Sequence, residues 1–341
     1  MKIGICTGGG DCPGLNAAIR ALVKSAIKHK DIELYGIKNS FNGLKSRPLS
    51  YTQLNRQSVV DIYHRGGTIL GTFNKGAYKE ETSNKDLDLI CEGYNSLELD
   101  CLIVIGGEGT QSIAQQLIEK KLNVIGIPKT IDNDLPKTEQ TIGFSSCVDL
   151  VAESVLRLQS TAESHHRIMI LEVMGRDSGF IGLYGGLAGG AHIILIPEIA
   201  FNYNAICEKI DQRRKLGRNN SVIVVSEGAY EAGQDSRPKN LTQNLSKNLA
   251  EMTNMETRVT VLGHLQRGGA PSPEDRLLAT RLGVYAMNLA IKKTYNRIVM
   301  IHEAKTVDIE YSAINKWERK LVSLDNELMQ AAEAIGISLG R

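Results

Sequence analysis

The sequence predicts an α/β protein of two lobes, each a mainly parallel sheet sandwiched between helices. Three observations carry that reading. Nine short β-branched runs, "KIGIC", "IELYGI", "CLIVIGG", "NVIGIP", "RIMILEV", "AHIILIP", "SVIVVSEG", "RVTVLGH" and "RIVMIHE", are apolar without alternation, as strands covered on both faces require. Helical segments separate them, the order that builds parallel sheets. Glycines and acids gather just past the strands, at "TGGGDCPG", "GGEGT", "KTIDND", "MGRDSG" and "SEG", where open α/β sheets hold their ligands.

At 341 residues, 42% hydrophobic and 23% charged, the chain is long enough for two cores and is neither disordered nor fibrous in composition. A net charge of +2, with Lys and Arg scattered, gives no footprint for nucleic acid or an anionic membrane. The cysteines form no C-x-x-C pair and read as reduced thiols of a cytoplasmic protein. "KIGIC" follows Met1 directly, without a signal-peptide pattern. After it, Leu15, Ala18, Ile19, Leu22, Val23, Ala26 and Ile27 repeat at helical spacing, while Asn16, Arg20 and Lys24 line a second face. The stretch from Phe180 to Pro197 is apolar, but its glycines fit a packed helix leading into a buried strand better than a membrane span.

"TGGGDCPGLN", Thr7 to Asn16, stands between a strand and a helix, where backbone N–H groups and the helix dipole favour an anion. Pro13 occupies the place of the third glycine of a dinucleotide fingerprint, and Leu15 that of a Walker A lysine. The segment reads as a phosphate cradle, with a tight βα turn as the plainer alternative. "IGGEGT", Ile105 to Thr110, repeats the arrangement: its glycines permit close approach, Thr110 caps the next helix, and Glu108 reaches a phosphate-bound metal. In "GIPKTIDNDLP", an extended backbone projects Asp132 and Asp134 to one side, a carboxylate pair suited to accepting a hydroxyl proton during phosphoryl transfer. An Asx-rich turn is the alternative there. Arg167, Arg176, Arg258, His264 and Arg267 supply cations for phosphate. His165 and His166 diverge as neighbours and lack a third ligand for a metal.

In this order, "GGGDCPGLN", "GGEGT", "PKTIDND", "SHHRIMILEVMGR", "AGGA", "SEG" and "ETRVTVLGHLQRGG" resemble the motifs of the 6-phosphofructokinases, from near the first residue to about residue 305. The resemblance implies magnesium-dependent phosphoryl transfer to the 1-hydroxyl of fructose 6-phosphate, the glycolytic step, with Asp132 as base. Thr130 and Asp134 would position the hydroxyl, and Arg176 with the Gly10 backbone would stabilise the moving group. Met174, Gly175 and Glu227 match sugar contacts, and Arg167, Arg258, His264 and Arg267 match the 6-phosphate pocket. Some of these arginines arrive from a neighbouring subunit in the family, so a homo-oligomer, a tetramer, is implied. Gly10, Asn74, Lys75, Glu108, Gly109, Thr110 and Lys129 fall at donor positions, with Glu108 replacing the usual aspartate near Mg2+.

Gly109 resembles ATP users, because an aspartate there blocks the α-phosphate; Lys129 resembles pyrophosphate users. The steric argument favours ATP as donor, with pyrophosphate as the alternative. Arg20, Lys24, Arg56 and Arg218 resemble an allosteric phosphate pocket, but Gln159 and His192 replace an expected arginine and glutamate, which implies weak or altered control by nucleotide diphosphate and phosphoenolpyruvate. The donor lobe is expected over 1–143 and about 266–305, and the sugar lobe over 144–265 and about 306–341. A nicotinamide oxidoreductase lacks its third glycine and ribose acid here, and a silent sugar-phosphate sensor need not keep Asp132 and Arg176.

Overall fold

The computed structural model describes residues 1–73, 83–234 and 239–341. In chain order it contains β1 (Lys2–Thr7), α1 (Leu15–Ala26), β2 (Glu33–Ile37), α2 (Asn42–Lys45), β3 (Tyr51–Leu54), α3 (Asn84–Ser96), β4 (Cys101–Gly106), α4 (Glu108–Glu119) and β5 (Val124–Pro128). There follow α5 (Phe144–His165), β6 (Ile168–Val173), α6 (Phe180–Ala188), β7 (Ile193–Leu195), α7 (Tyr203–Lys215), β8 (Ser221–Ser226), α8 (Leu241–Thr253) and β9 (Thr257–Val261). The chain closes with α9 (Pro273–Ile291), β10 (Arg297–His302), β11 (Lys305–Glu310) and α10 (Glu327–Ala334). Each of the nine apolar runs forms a strand.

Two compact units share these elements. The first comprises Met1–Ile131, Leu135–Ser146 and Arg267–Arg319; the second comprises Asp132–Asp134, Cys147–Gln266 and Lys320–Arg341. The stretch 306–319, assigned from sequence to the sugar lobe, therefore lies in the first unit. Its β11 pairs antiparallel with β10, extending the sheet of that unit instead of leaving it.

The first sheet runs β11-β10-β5-β4-β1-β2-β3. Its five inner strands are parallel, and β3 and β11 flank them antiparallel. The two flanking strands escaped the sequence reading because "YTQL" and "KTVDIE" are polar and partly exposed, without the continuous apolar run of an inner strand. On one face Cys6, Leu102, Val104, Val124, Ile298 and Met300 pack with Leu87 and Ile90 of α3 and Ile113 and Leu117 of α4. Across α1 and α9, Gly283 lets the helices meet, since a Cβ there would stand 2.8 Å from that of Ala21. Strand order reverses beside β1, whose neighbours are β2 and β4, and such a switch point opens a crevice at the strand ends.

The second sheet, β7-β8-β6-β9, is wholly parallel. Ile168, Ile170, Ile193, Leu195, Ile223 and Val225 pack with Ile206 and Ile210 of α7 and Leu241, Leu245 and Leu249 of α8. The glycine-rich stretch near Phe180 is the short helix α6 followed by buried β7, and Gly185 sits against Val151 of α5. Among the described residues, no helix is long and apolar enough to cross a membrane. Two details of α1 differ from the periodic reading. Ile27 is 44% exposed beyond the helix end, and Asn16 is buried. Asn16 donates to the carbonyls of Arg65 and Gly66 and accepts from Ile69 N, so it holds a loop in place of facing water.

Candidate active site

In the first unit the site is made largely of backbone. Gly8 N continues the β1 ladder to Ile105 O at 2.9 Å, and Thr72 Oγ1 donates to Gly9 O at 2.5 Å. Gly14, at φ 105°, is the left-handed residue that turns the chain into α1, a conformation that favours glycine. The segment from Thr7 to Asn16 is thus a strand–loop–helix junction, as expected. Asn74 and Lys75 lie outside the described residues.

Lys129 follows β5 and is 2% exposed. Its Nζ donates to Gly10 O at 2.6 Å and would lie 3.5 Å from a Cβ on Gly9, so its charge is turned into the glycine loop. Arg267 belongs to this unit too. Its Nη1 donates to Asp11 O at 3.2 Å, and a Cβ on Gly10 would come within 2.4 Å of the same nitrogen. A residue assigned from sequence to the sugar phosphate is therefore folded against the glycine loop in this chain.

The loop at the end of β4 leads straight into α4, whose first residue is Glu108 and whose N-cap is Gly107. Thr110 is consequently inside the helix and does not cap it. It is buried, with its side chain packed against Gly8 and Gly106. Gly109 is exposed, and nothing lies within 4 Å of where its Cβ would be. Glu108 Oε2 accepts from Arg319 Nε at 3.0 Å, a contact that no spacing in the sequence signals. Gln111, fully buried, donates to Gly106 O and Ile127 O at 3.0 Å each and fixes the ends of β4 and β5 against each other. Glu108 is a hard-oxygen ligand at a helix N-terminus, and Mg2+ is commonly held by one or two carboxylates plus substrate phosphates, so the residue fits that ion.

The segment Lys129–Asp134 is extended at Lys129, which bridges Ile142, and turns at Ile131 and Asp132. Asn133 stands at φ 51°, so the strand alternation that would aim Asp132 and Asp134 the same way does not hold. The Asx-rich turn is what forms, Asn being a residue that tolerates the left-handed region. Both aspartates are nevertheless buried, at 6% and 5% exposure. Thr141 Oγ1 donates to Thr130 O at 2.7 Å, and Lys320 N donates to Asp134 O at 2.7 Å within the second unit. Downstream, Asp275 accepts from Gly143 N and Ser146 N, each at 2.8 Å, and from Ser146 Oγ at 2.6 Å. Burial pushes its carboxyl pKa up while those three donors oppose the shift.

In the second unit side chains dominate. Arg176 is exposed on the loop between β6 and α6 and holds φ 53°, a strained backbone that its surroundings impose. Glu227 Oε1 accepts from Arg176 N at 2.9 Å, and a Cβ on Gly228 would sit 1.9 Å from Arg176 O. At the end of that loop, Glu198 Oε1 accepts from Gly179 N at 2.9 Å and from Val322 N at 2.8 Å, with burial raising its pKa against these bonds. Buried Gln266 accepts from Met174 N at 3.2 Å and donates to Gly263 O, tying the end of β6 to the 3-10 turn that exposes His264. Glu198 and Gln266 were missed in the sequence, since a lone acid or amide gives no signal of its packing. Glu227 also lines a cavity of about 590 Å³ with Glu172, Asn240 and Gln243. Arg167 and Arg258 converge on Glu256: Arg167 Nε donates to it at 2.5 Å, and Arg258 Nη2 pairs with its other oxygen. Among the described residues, no group of three or more His, Cys, Asp and Glu gathers as a metal cage.

The Phosphofructokinase family model matches residues 2–290. An ATP-dependent 6-phosphofructokinase of Spirochaeta thermophila is 42% identical over 357 residues, covering 99% of this chain and 97% of the relative. The ATP-dependent 6-phosphofructokinase 3 of Bacteroides thetaiotaomicron is 39% identical over 346 residues, covering both chains fully at 100%. Among solved structures, Pichia pastoris phosphofructokinase in the T-state superposes with a TM-score of 0.83 at 31% identity over 92% of this chain, which spans only 35% of that longer one. The fold is also that of a pyrophosphate-dependent phosphofructokinase from Nitrosospira multiformis, with a TM-score of 0.86 at 20% identity over 99% of this chain and 92% of the other. Sequence, fold and strand-end loops thus agree, and the chain belongs to the phosphofructokinase family.

Proposed function

We propose that this chain transfers the terminal phosphoryl group of ATP to the 1-hydroxyl of fructose 6-phosphate, giving fructose 1,6-bisphosphate. The observation that carries the choice of donor is the open side of Gly109 together with the inward turn of Lys129. Nothing lies within 4 Å of the Gly109 Cβ position, whereas the lysine ammonium is bound to Gly10 O. The bulk that would exclude a nucleotide is therefore directed into the glycine loop. Relatives at about 40% identity bear the name ATP-dependent, which supports the same reading.

Asp132 takes the proton of the 1-hydroxyl as the bond to phosphorus forms, and Asp134 and Thr130 hold the sugar in line. Arg176 and the Gly10 N–H stabilise the charge that develops on the transferring group. Met174, Gly175 and Glu227 grip the sugar, and Arg167, Arg258, His264 and Arg267 take its 6-phosphate. Glu108 would hold a magnesium ion, which would supply neutralising charge to the donor phosphates. The pair formed by half-buried Arg167 and exposed Arg258 suits phosphate sites completed between subunits, so a homotetramer is part of the proposal, to be checked by sedimentation mass. Control by effectors is weak in this reading. Gln159 Nε2 is occupied by the carbonyls of Gly189 and Gly190, and His192 Nδ1 accepts from Val222 N, with burial lowering its pKa to about 4.

The test supplies fructose 6-phosphate and Mg2+ with ATP, ADP or pyrophosphate in separate reactions, then repeats the ATP series with ADP added. Turnover with ATP and an unchanged rate curve are expected. Turnover with pyrophosphate alone overturns the donor assignment, and a strong sigmoidal shift with ADP overturns the reading of control.

A further inference from the structure

Two glutamates pin the loop that carries Arg176, one at each end. Glu227 accepts from Arg176 N, and Glu198 accepts from Gly179 N at 2.9 Å, where α6 begins. The fit at the second end is close: a Cβ on Gly179 would stand 2.5 Å from Glu198 Oε2, so the carboxyl group lies directly against the backbone there. Glu198 Oε1, which takes the Gly179 N–H, also accepts from Val322 N at 2.8 Å, and Val322 is buried. Two residues earlier, Lys320 N donates to Asp134 O at 2.7 Å, and Lys320 Nζ stands 4.9 Å from the ring centre of Phe180, the first residue of α6. All of these residues belong to the second unit, together with Asp132. A continuous chain of bonds therefore runs from the aspartate turn through Lys320–Val322 and Glu198 to the end of the Arg176 loop.

We propose that Glu198 is a positioning residue, which holds the turn carrying Asp132 in register with the loop carrying Arg176 through the segment Lys320–Val322. The proposal rests on the phosphotransfer reading above and deepens it. In-line transfer needs base and cation placed together, and a misplacement of about 1 Å costs about 100-fold in rate. Neither residue is held by regular structure: Asp132 lies in a turn, and Arg176 in a loop at left-handed φ. One oxygen that takes an N–H from each side supplies the link. The other oxygen, Oε2, is buried and makes no hydrogen bond among the described residues, so the joint is made through Oε1 alone. Burial also disfavours the charged form of this carboxyl group. An amide should therefore serve in its place, since its carbonyl oxygen accepts the same two N–H groups.

The experiment compares wild type with E198A, E198Q and V322P by thermal midpoint and, well below that midpoint, by kcat and KM for ATP and fructose 6-phosphate. E198A is expected to lower kcat by about 10- to 100-fold while the KM for ATP moves less than about twofold. E198Q is expected to keep kcat within about threefold of wild type. V322P removes the donor of the C-terminal segment and leaves the bond to Gly179; it should lower kcat as E198A does, with little further loss when the two are combined. An unchanged kcat in folded E198A overturns the proposal even where its thermal midpoint falls, because Glu198 would then serve the fold alone. E198Q as impaired as E198A overturns it as well, since charge and not the shared acceptor would be at work. If V322P does not fold, the comparison of E198A with E198Q decides. E198A matching an active wild type removes this inference alone, whereas a wild type that turns over with no donor removes the proposed function with it.

Discussion

The two units carry different materials at the positions proposed for phosphate. In the first, the loops after the strands carry Gly8, Gly9, Gly10 and Gly109, and two cations fold against the glycine loop, each bound to a backbone carbonyl: buried Lys129 to Gly10 O and Arg267 to Asp11 O. In the second, Arg176 and Glu227 follow β6 and β8 while Arg167 and Arg258 stand at the starts of β6 and β9; Arg176 and Arg258 are exposed, the other two half-buried, and the arginines are held by other side chains or by strained backbone. Loops of backbone N–H groups are fixed by the fold itself, oriented before any ligand arrives. A cluster of long side chains must hold flexible groups in place, and Glu256 does so for two arginines at once. The contrast predicts that side-chain removal in the second unit abolishes chemistry while sparing the fold, and that side-chain addition in the first changes the donor.

The largest effect is expected at Asp132. Replacement by Asn keeps the shape and removes the base, so kcat should fall by about 10² to 10⁴, with the thermal midpoint near wild type. A kcat within threefold would break the assignment of base. Next is Gly109→Asp. The Cβ meets nothing within 4 Å, so the variant should fold, and an acid in the first turn of α4 favours the helix slightly. Its charge would face the α-phosphate, and kcat/KM for ATP should fall by about 100-fold through like-charge repulsion. A matched loss of thermal stability and of activity would instead mean that the glycine serves the fold.

How much of this was legible in the sequence follows the same division. Strands of continuous apolar sequence announce themselves, and every such run became a strand, including β7 and β9 at the edges of the second sheet. The edge strands β3 and β11 could not be read that way, and missing β11 moved residues 306–319 into the wrong lobe. The glycine loops were readable since their spacing reflects backbone geometry. Asp132 and Asp134 were singled out by an alternation argument that the left-handed Asn133 invalidates. Gln111, Glu198, Gln266 and Arg319 were invisible, because their importance depends on contacts across long sequence separations: Arg319 to Glu108 spans 211 residues. Single polar residues carry no periodicity from which such a contact can be inferred.

The smallest effect, and the sharpest test of the contrast, is at Arg258. Its side chain is 53% exposed and its partner Glu256 is a surface acid, so the ion pair is screened by water and its loss should leave the thermal midpoint almost unmoved. The same residue is proposed to take the 6-phosphate, and R258A should raise the KM for fructose 6-phosphate by about tenfold, the scale of one charge-assisted hydrogen bond, with ATP unaffected. The comparison with Glu256→Gln separates two roles for the carboxylate. If Glu256 only orients the arginines, the amide still accepts hydrogen bonds and substrate affinity is kept. If its charge competes with phosphate for both arginines, E256Q binds fructose 6-phosphate more tightly than wild type. Either result refines the second unit as a site of side chains held by side chains; an R258A enzyme with unaltered KM removes Arg258 from it, and with it the clearest contrast to the backbone-built first unit.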